Sequence, residues 1–234
     1  MMSKISPMSI QDDSRENQMI DMFNLSVPQG RGRADIDAHL NIDGQDIPFE
    51  LKSSTRLSVV TARDFGMGHI CKWRRDNIHW LFGFYLSTEE KPDYCIYCSP
   101  DDMEGWYSDM ENYIKPDLIL GEYLPGCVDE KLVRRILGKK PKYSYSDAYR
   151  IMKRQFSAQE YRDYMDLEDG YSIKRMKVIL QLRAKYVIER GSTLNNPHLS
   201  PKFFEDKPHI VEDPAIRLRD LVHNYLLSLK NARD

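Results

Sequence analysis

Arg33 to Lys52 reads R-A-D-I-D-A-H-L-N-I-D-G-Q-D-I-P-F-E-L-K, and its pattern decides the fold. Ala34, Ile36, Ala38, Leu40 and Ile42 fall on one side of an extended chain, and Asp35, Asp37, His39 and Asn41 on the other. That alternation is the mark of a strand with one buried face. Asp43-Gly44 tolerates positive φ and suits a two-residue type I′ turn, after which Ile47, Phe49 and Leu51 alternate with Glu50 and Lys52. A hairpin is expected.

Register turns the pattern into chemistry. With Asp43-Gly44 as the whole loop, Asp37 faces Glu50 and Asp35 faces Lys52, all four on one face. A four-residue turn from Asp43 to Asp46 keeps them there, whereas a one-residue slip would turn Phe49 and Leu51 away from the apolar side of the first strand. Opposed side chains start about 5 Å apart, and two carboxylates at that spacing repel unless a cation sits between them. Hard oxygens from one or two carboxylates, completed by water and substrate phosphate, are how proteins hold Mg2+. Lys52 adds a point charge suited to a developing phosphate anion.

Asp37, a hairpin turn, then Glu50-Leu51-Lys52 resembles the PD-(D/E)xK nuclease superfamily. The triplet E-x-K alone is common; its place on a strand behind an aspartate-bearing strand carries the resemblance. The proline that often precedes the aspartate is Ile36 here, or Ala34 if Asp35 is the ligand. The resemblance implies Asp37, Glu50 and Lys52 as catalytic residues and a metal site of Asp37 and Glu50, with Asp35 as an alternative or additional ligand. Glu16, on a helix before the hairpin, is a further carboxylate of the kind some members use. It also implies a restriction-endonuclease-like mixed central sheet flanked by helices, an α/β fold, with Mg2+ as cofactor and Mn2+ as a substitute.

At 234 residues, with 41% hydrophobic and 30% charged side chains, the chain is long enough to bury a sizeable core. The net charge of −2 is unevenly spread: residues 139–190 carry 13 Lys and Arg against 7 Asp and Glu. Four cysteines in a chain this long do not form a disulfide framework, the first residues lack the apolar core of a signal peptide, and no apolar run would span a bilayer. A cytoplasmic protein without membrane contact is expected.

A helix is expected over 12–24, with Met19, Met22 and Phe23 on one stripe, and a basic loop, Pro28 to Arg33, follows it. Arg31 and Arg33 in that loop, and Ser53 and Ser54 after the catalytic lysine, are candidate phosphate contacts. Thr61 is expected to cap a helix running to about Asp76. His69, Lys72, Arg74 and Arg75 on it are read as structural or surface residues. Ile78 to Leu86 and Asp93 to Cys98 read as buried strands, with Cys95 and Cys98 as core thiols because no second pair completes a metal site. Ser99-Pro100 starts a helix to about Tyr113, Leu118 to Leu120 is a short strand candidate, and Asp129 to Leu137 is a helix.

Residues 1–138 are thus expected to form the catalytic α/β core. Residues 139–234 are expected to form a mainly helical, basic region for DNA binding or dimerisation, packed on that core. Its helices are expected at 146–155, at 158–165 behind the capping box Ser157 to Glu160, and at 172–190. The three suit a helix-turn-helix-like unit whose basic face, including Lys174 and Arg175, tracks phosphates. Gly191 to Pro201 is a polar loop in which Ser192, Thr193, Asn195 and Asn196 are candidate base contacts; turn chemistry explains the same letters. Asp213-Pro214 is expected to cap a final helix.

No G-x-x-x-x-G-K-S/T loop is present, so no nucleotide cofactor is expected. The resemblance therefore implies an Mg2+-dependent, site-specific double-stranded DNA endonuclease like a type II restriction enzyme, acting as a homodimer and leaving 5′-phosphate ends. Two other readings stand beside it: a junction or repair nuclease of the same superfamily, and a non-catalytic DNA-binding protein.

Overall fold

The computed structural model describes residues 7–28, 36–62, 65–87, 90–191 and 197–232. The hairpin forms in the expected register. Strand β1, Ala38–Ile42, runs antiparallel to β2, Gln45–Ser54, with Ala38 opposite Phe49 and Ile42 opposite Gln45. Asp43 and Gly44 are the turn, both with positive φ (52° and 83°), as type I′ requires. Asp37 lies just before β1, and its N–H donates to the Phe49 carbonyl at 3.1 Å, extending the pairing by one residue.

The chain then runs through β3 (Val59–Val60) and helix α2 (Met67–Arg75) to β4 (His79–Phe84), which pairs parallel with β2. Strand β5 (Tyr94–Cys98) adds antiparallel to β4, and β7 (His209–Ile210) adds antiparallel to β5. The result is an α/β fold with a mixed five-stranded sheet in the order β1-β2-β4-β5-β7, flanked by helices. A second, two-stranded sheet pairs β3 with β6, His198–Leu199.

One face of the main sheet presents Ala38, Leu40, Phe49, Leu51 and Leu81. They pack against Met19 and Phe23 of helix α1 (Pro7–Phe23) and against Leu218 and Val222 of the last helix, α9 (Pro214–Asn231). Fully burying each of the leucine, phenylalanine, methionine and valine side chains among them contributes roughly 1.5–3 kcal/mol. The other face is aromatic. Trp80 meets Trp73 of α2, and its indole N–H donates to the Tyr107 hydroxyl at 2.7 Å on helix α3, Pro100–Tyr123. Phe82, next but one along β4, stacks on Trp80 and meets Phe204 of the short helix α8, Pro201–Phe204.

Several expectations are corrected. Thr61 caps no helix: its N–H and hydroxyl both donate to the Pro197 carbonyl, at 3.0 and 2.9 Å, beside the β3–β6 pair, and α2 begins only after Gly66. Leu118 to Leu120 is not a strand but part of α3, which runs on to Tyr123 through Pro116. Three apolar residues fit either state, and here the helix started at Pro100 continues. The fifth strand is instead β7, from the C-terminal part of the chain. Asp213 adopts a left-handed backbone (φ 46°), not the extended one from which a cap side chain reaches the first turn, and makes no such bond.

The domain boundary also moves. The chain divides into one unit of residues 1–111 with 196–234 and a second of residues 112–195, because β7 and α9 belong to the sheet's core. The second unit holds the end of α3, a 3-10 turn (Leu124–Cys127) and helices α4 (Glu130–Leu137), α5 (Tyr145–Met152), α6 (Ala158–Asp163) and α7 (Ile173–Gly191). Its core sets Tyr143, Tyr161 and Tyr171 among Val133, Ile151 and Ile179. Each of the three buried tyrosine hydroxyls donates to a backbone carbonyl, of Gly138, Lys153 and Tyr161 respectively, which removes the penalty of burying it. Ser157 and Glu160 form the expected capping box, and Ser144 with Asp147 forms another. Among the described residues no helix is long and apolar enough to cross a membrane.

Candidate active site

Alternation along β2 sends Phe49, Leu51 and Ser53 to one face of the sheet and Glu50, Lys52 and Ser54 to the other. Asp37 joins the second set. The Lys52 ammonium lies 2.7 Å from Glu50 Oε1 and 3.8 Å from Asp37 Oδ2, so one cation bridges two carboxylates. The three side chains are recessed, with 23%, 16% and 10% of Lys52, Glu50 and Asp37 exposed. Asp37 is oriented from behind: the Leu51 N–H donates to its Oδ2 at 2.9 Å.

The electrostatics follow from this packing. Burial pushes the Glu50 carboxyl up; the Lys52 ammonium pulls it back, Asp37 pushes it up again, and the net result lies above its ordinary value. For Lys52, burial alone would lower the ammonium, but Glu50, Asp37 and, more weakly, Glu16 outweigh it and hold the lysine above its usual value. Glu16 of α1 is therefore within electrostatic reach of the site.

The surroundings include residues the sequence did not mark. Trp80 stands beside Glu50 in the β2–β4 register, and Tyr107 carries Trp80's hydrogen bond. The Tyr107 hydroxyl is pushed up mainly by burial, with Glu50 adding to the shift. Lys72 of α2, read from sequence as surface, contributes a small opposite pull on Glu50. A hydroxyl on one helix and an ammonium on another carry no local sequence signal. Arg74 has a different role: its guanidinium bonds Glu104 and Glu111, tying α2 to α3.

Other expected site residues fall elsewhere. Ser54 shares the site's face, but its hydroxyl donates to the Ser58 carbonyl at 2.7 Å and accepts the Arg56 N–H at 3.1 Å, closing the loop after β2. Ser53 points to the opposite face. Lys174 and Arg175 belong to α7 of the second unit, where Lys174 is exposed and Arg175 lies over the Tyr164 ring at 5.8 Å. Arg31, Arg33, Asp35, Ser192, Thr193, Asn195 and Asn196 lie outside the described residues. Cys95 and Cys98 are buried in β5 as expected; three residues apart on a strand, they point to opposite faces and cannot converge on one ion.

The donor set fits a hard dication in kind. Among the described residues no group of three or more His, Cys, Asp or Glu side chains forms a ready metal cage. Mg2+ does not need one, because one or two carboxylates suffice when water and phosphate complete the octahedron. No protein-family model and no curated protein matches the chain.

Proposed function

We propose that the protein is an Mg2+-dependent endonuclease cutting double-stranded DNA at specific sites, like the type II restriction enzymes of the PD-(D/E)xK superfamily. The observation that carries this reading is the convergence of Asp37, Glu50 and Lys52 on one recessed face of a mixed sheet, with the ammonium 2.7 Å from one carboxylate and 3.8 Å from the other. Asp37 and Glu50 would hold Mg2+ or Mn2+, which supplies Lewis acidity toward a phosphodiester and lowers the pKa of an attacking water.

The chain's own residues do the rest. The Leu51 N–H fixes which way the Asp37 carboxylate faces, so the two acids are arranged before an ion arrives. Lys52, whose ammonium form is favoured by its two acidic neighbours, orients the nucleophile and offsets charge growing on the phosphate oxygens. The aromatic wall of Trp80 and Tyr107 lowers the local dielectric and strengthens each of these interactions. Cutting both strands of a palindromic site calls for two such sites related by two-fold symmetry, so a homodimer is part of the proposal.

The test is digestion of long mixed-sequence duplex DNA with and without Mg2+. Discrete fragments with 5′-phosphate ends, lost in Glu50→Ala and Lys52→Ala, support the reading. Cuts confined to junctions or flaps would reassign the protein to structure-specific cleavage. DNA that is shifted on a gel but stays intact would remove the nuclease activity altogether.

A further inference from the structure

The turn between α5 and α6 holds a residue the fold does not ask for. The Gln155 N–H donates to the Met152 carbonyl at 3.1 Å, which makes Lys153 the first central residue of a four-residue turn. Its angles, φ 57° and ψ −119°, are those of a type II′ turn, where that position takes glycine because a Cβ is crowded there. Neighbours hold the strained backbone: the Lys153 N–H donates to the Tyr149 carbonyl at 2.6 Å, and the Tyr161 hydroxyl donates to the Lys153 carbonyl at 2.5 Å. The Lys153 ammonium pairs with no carboxylate among the described residues, and neither do its neighbours Arg150 and Arg154.

One turn and two turns back along the same face of α5 stand Tyr149 and Tyr145. Their rings lie nearly parallel, 6.4 Å apart at 18°, both resting on Tyr161, and 41% and 43% of the residues remain exposed. Neither hydroxyl has a partner among the described residues. The one acid within this strip, Asp147, is buried and taken by Lys140 and Ser144. The second unit that carries the strip is basic, while the remainder of the chain is acidic.

We propose that Tyr145, Tyr149, Arg150, Lys153 and Arg154 form a contact surface for the phosphate backbone of duplex DNA. The three cations replace counterions on successive phosphates, and the two phenols donate hydrogen bonds to phosphate oxygens. Charge complementarity selects a polyanion as the partner. Its identity as duplex DNA rests on the nuclease reading, and binding measured in EDTA, where nothing is cut, keeps the two apart.

The experiment titrates the full-length protein into fluorescent duplex DNA at several KCl concentrations. Lys153→Gly should melt no lower than wild type, since glycine suits the turn, yet bind several-fold more weakly. The triple variant Arg150→Ala/Lys153→Gly/Arg154→Ala should reduce the slope of log affinity against log salt by about 2.7, roughly 0.9 per phosphate released. Tyr145→Phe/Tyr149→Phe, which keeps both rings packed on Tyr161, should lose a further several-fold. Unchanged affinity and salt slope in the triple variant overturn the surface, as does a loss seen only with single-stranded DNA of the same length. A wild type that cuts DNA while the triple variant binds normally overturns this surface alone. A wild type that binds through these residues but never cuts overturns only the nuclease.

Discussion

Asp37 has two tasks that substitution can separate. Its carboxylate accepts a buried backbone N–H from Leu51 and faces Lys52 across 3.8 Å. Asparagine keeps an acceptor for the Leu51 N–H but not the charge, so Asp37→Asn should fold with near wild-type stability and, under the proposed nuclease reading, cleave DNA roughly 100-fold or more slowly. Alanine leaves the N–H without an acceptor, and Asp37→Ala should lose about 1–3 kcal/mol in urea denaturation. Equal stability of the two variants would detach Asp37 from the Leu51 amide. His79 gives a second test at this scale. Its ring is buried between Phe49, Tyr97 and Tyr225, and burial lowers it to about 4. The unfolded chain takes up a proton near pH 6.5 and the folded one does not until about pH 4, so stability is full above the first value and falls as pH drops toward the second. Between pH 7 and pH 5 the wild type should lose about 2 kcal/mol more than His79→Gln. Parallel pH profiles for the two proteins would exclude the imidazole as the cause.

At the scale of elements, the hairpin shows what was legible and why. Residues 38 to 51 state their structure locally: alternate side chains are apolar from Ala38 to Ile42 and from Ile47 to Leu51, and Asp43-Gly44 can adopt the two positive φ angles the turn needs. No atom lies within 4 Å of a Cβ built on Gly44, so Gly44→Ala tests backbone conformation alone and should cost about 1 kcal/mol, read as a lower urea midpoint. A variant as stable as wild type would mean that this φ is not held. The shared face of Asp37, Glu50 and Lys52 was legible for the same reason, since one register decides it. Leu118 to Leu120 was not, because a three-residue apolar run carries no period; what decided it was the continuation of α3 past Pro116, whose ring removes the helical bond to Asn112. Nor was β7 legible as a sheet strand, because a two-residue strand has its pairing to β5, and not its own composition, as the only signal. Tyr107 and Lys72 come to Glu50 from two separate helices, and no spacing in the chain announces that meeting.

At the scale of the whole molecule, the proposed dication would link the site to stability. Asp37 and Glu50 are brought together by the hairpin and lie apart in the unfolded chain, so an ion they hold binds the folded protein alone and stabilises it by RT ln(1 + [L]/Kd), about 1.4 kcal/mol at ten times Kd. For a chain of this size that raises the melting temperature by about 3 to 5 °C. The readout can be confined to the right part of the molecule, because all three tryptophans, Trp73, Trp80 and Trp106, belong to the unit that carries the sheet. Melting followed by tryptophan fluorescence, with Mg2+ against EDTA at matched ionic strength, should show the shift in wild type and none in Glu50→Ala. Lys52→Ala should show a lower melting temperature in EDTA and a larger gain with Mg2+, since the ammonium that offset the two carboxylates is gone and the dication takes over its task. The order of the three proteins matters more than any single value: a Mg2+ shift that is the same in all three is a general salt effect and would leave Asp37, Glu50 and Lys52 as an ion pair network with no ion to hold.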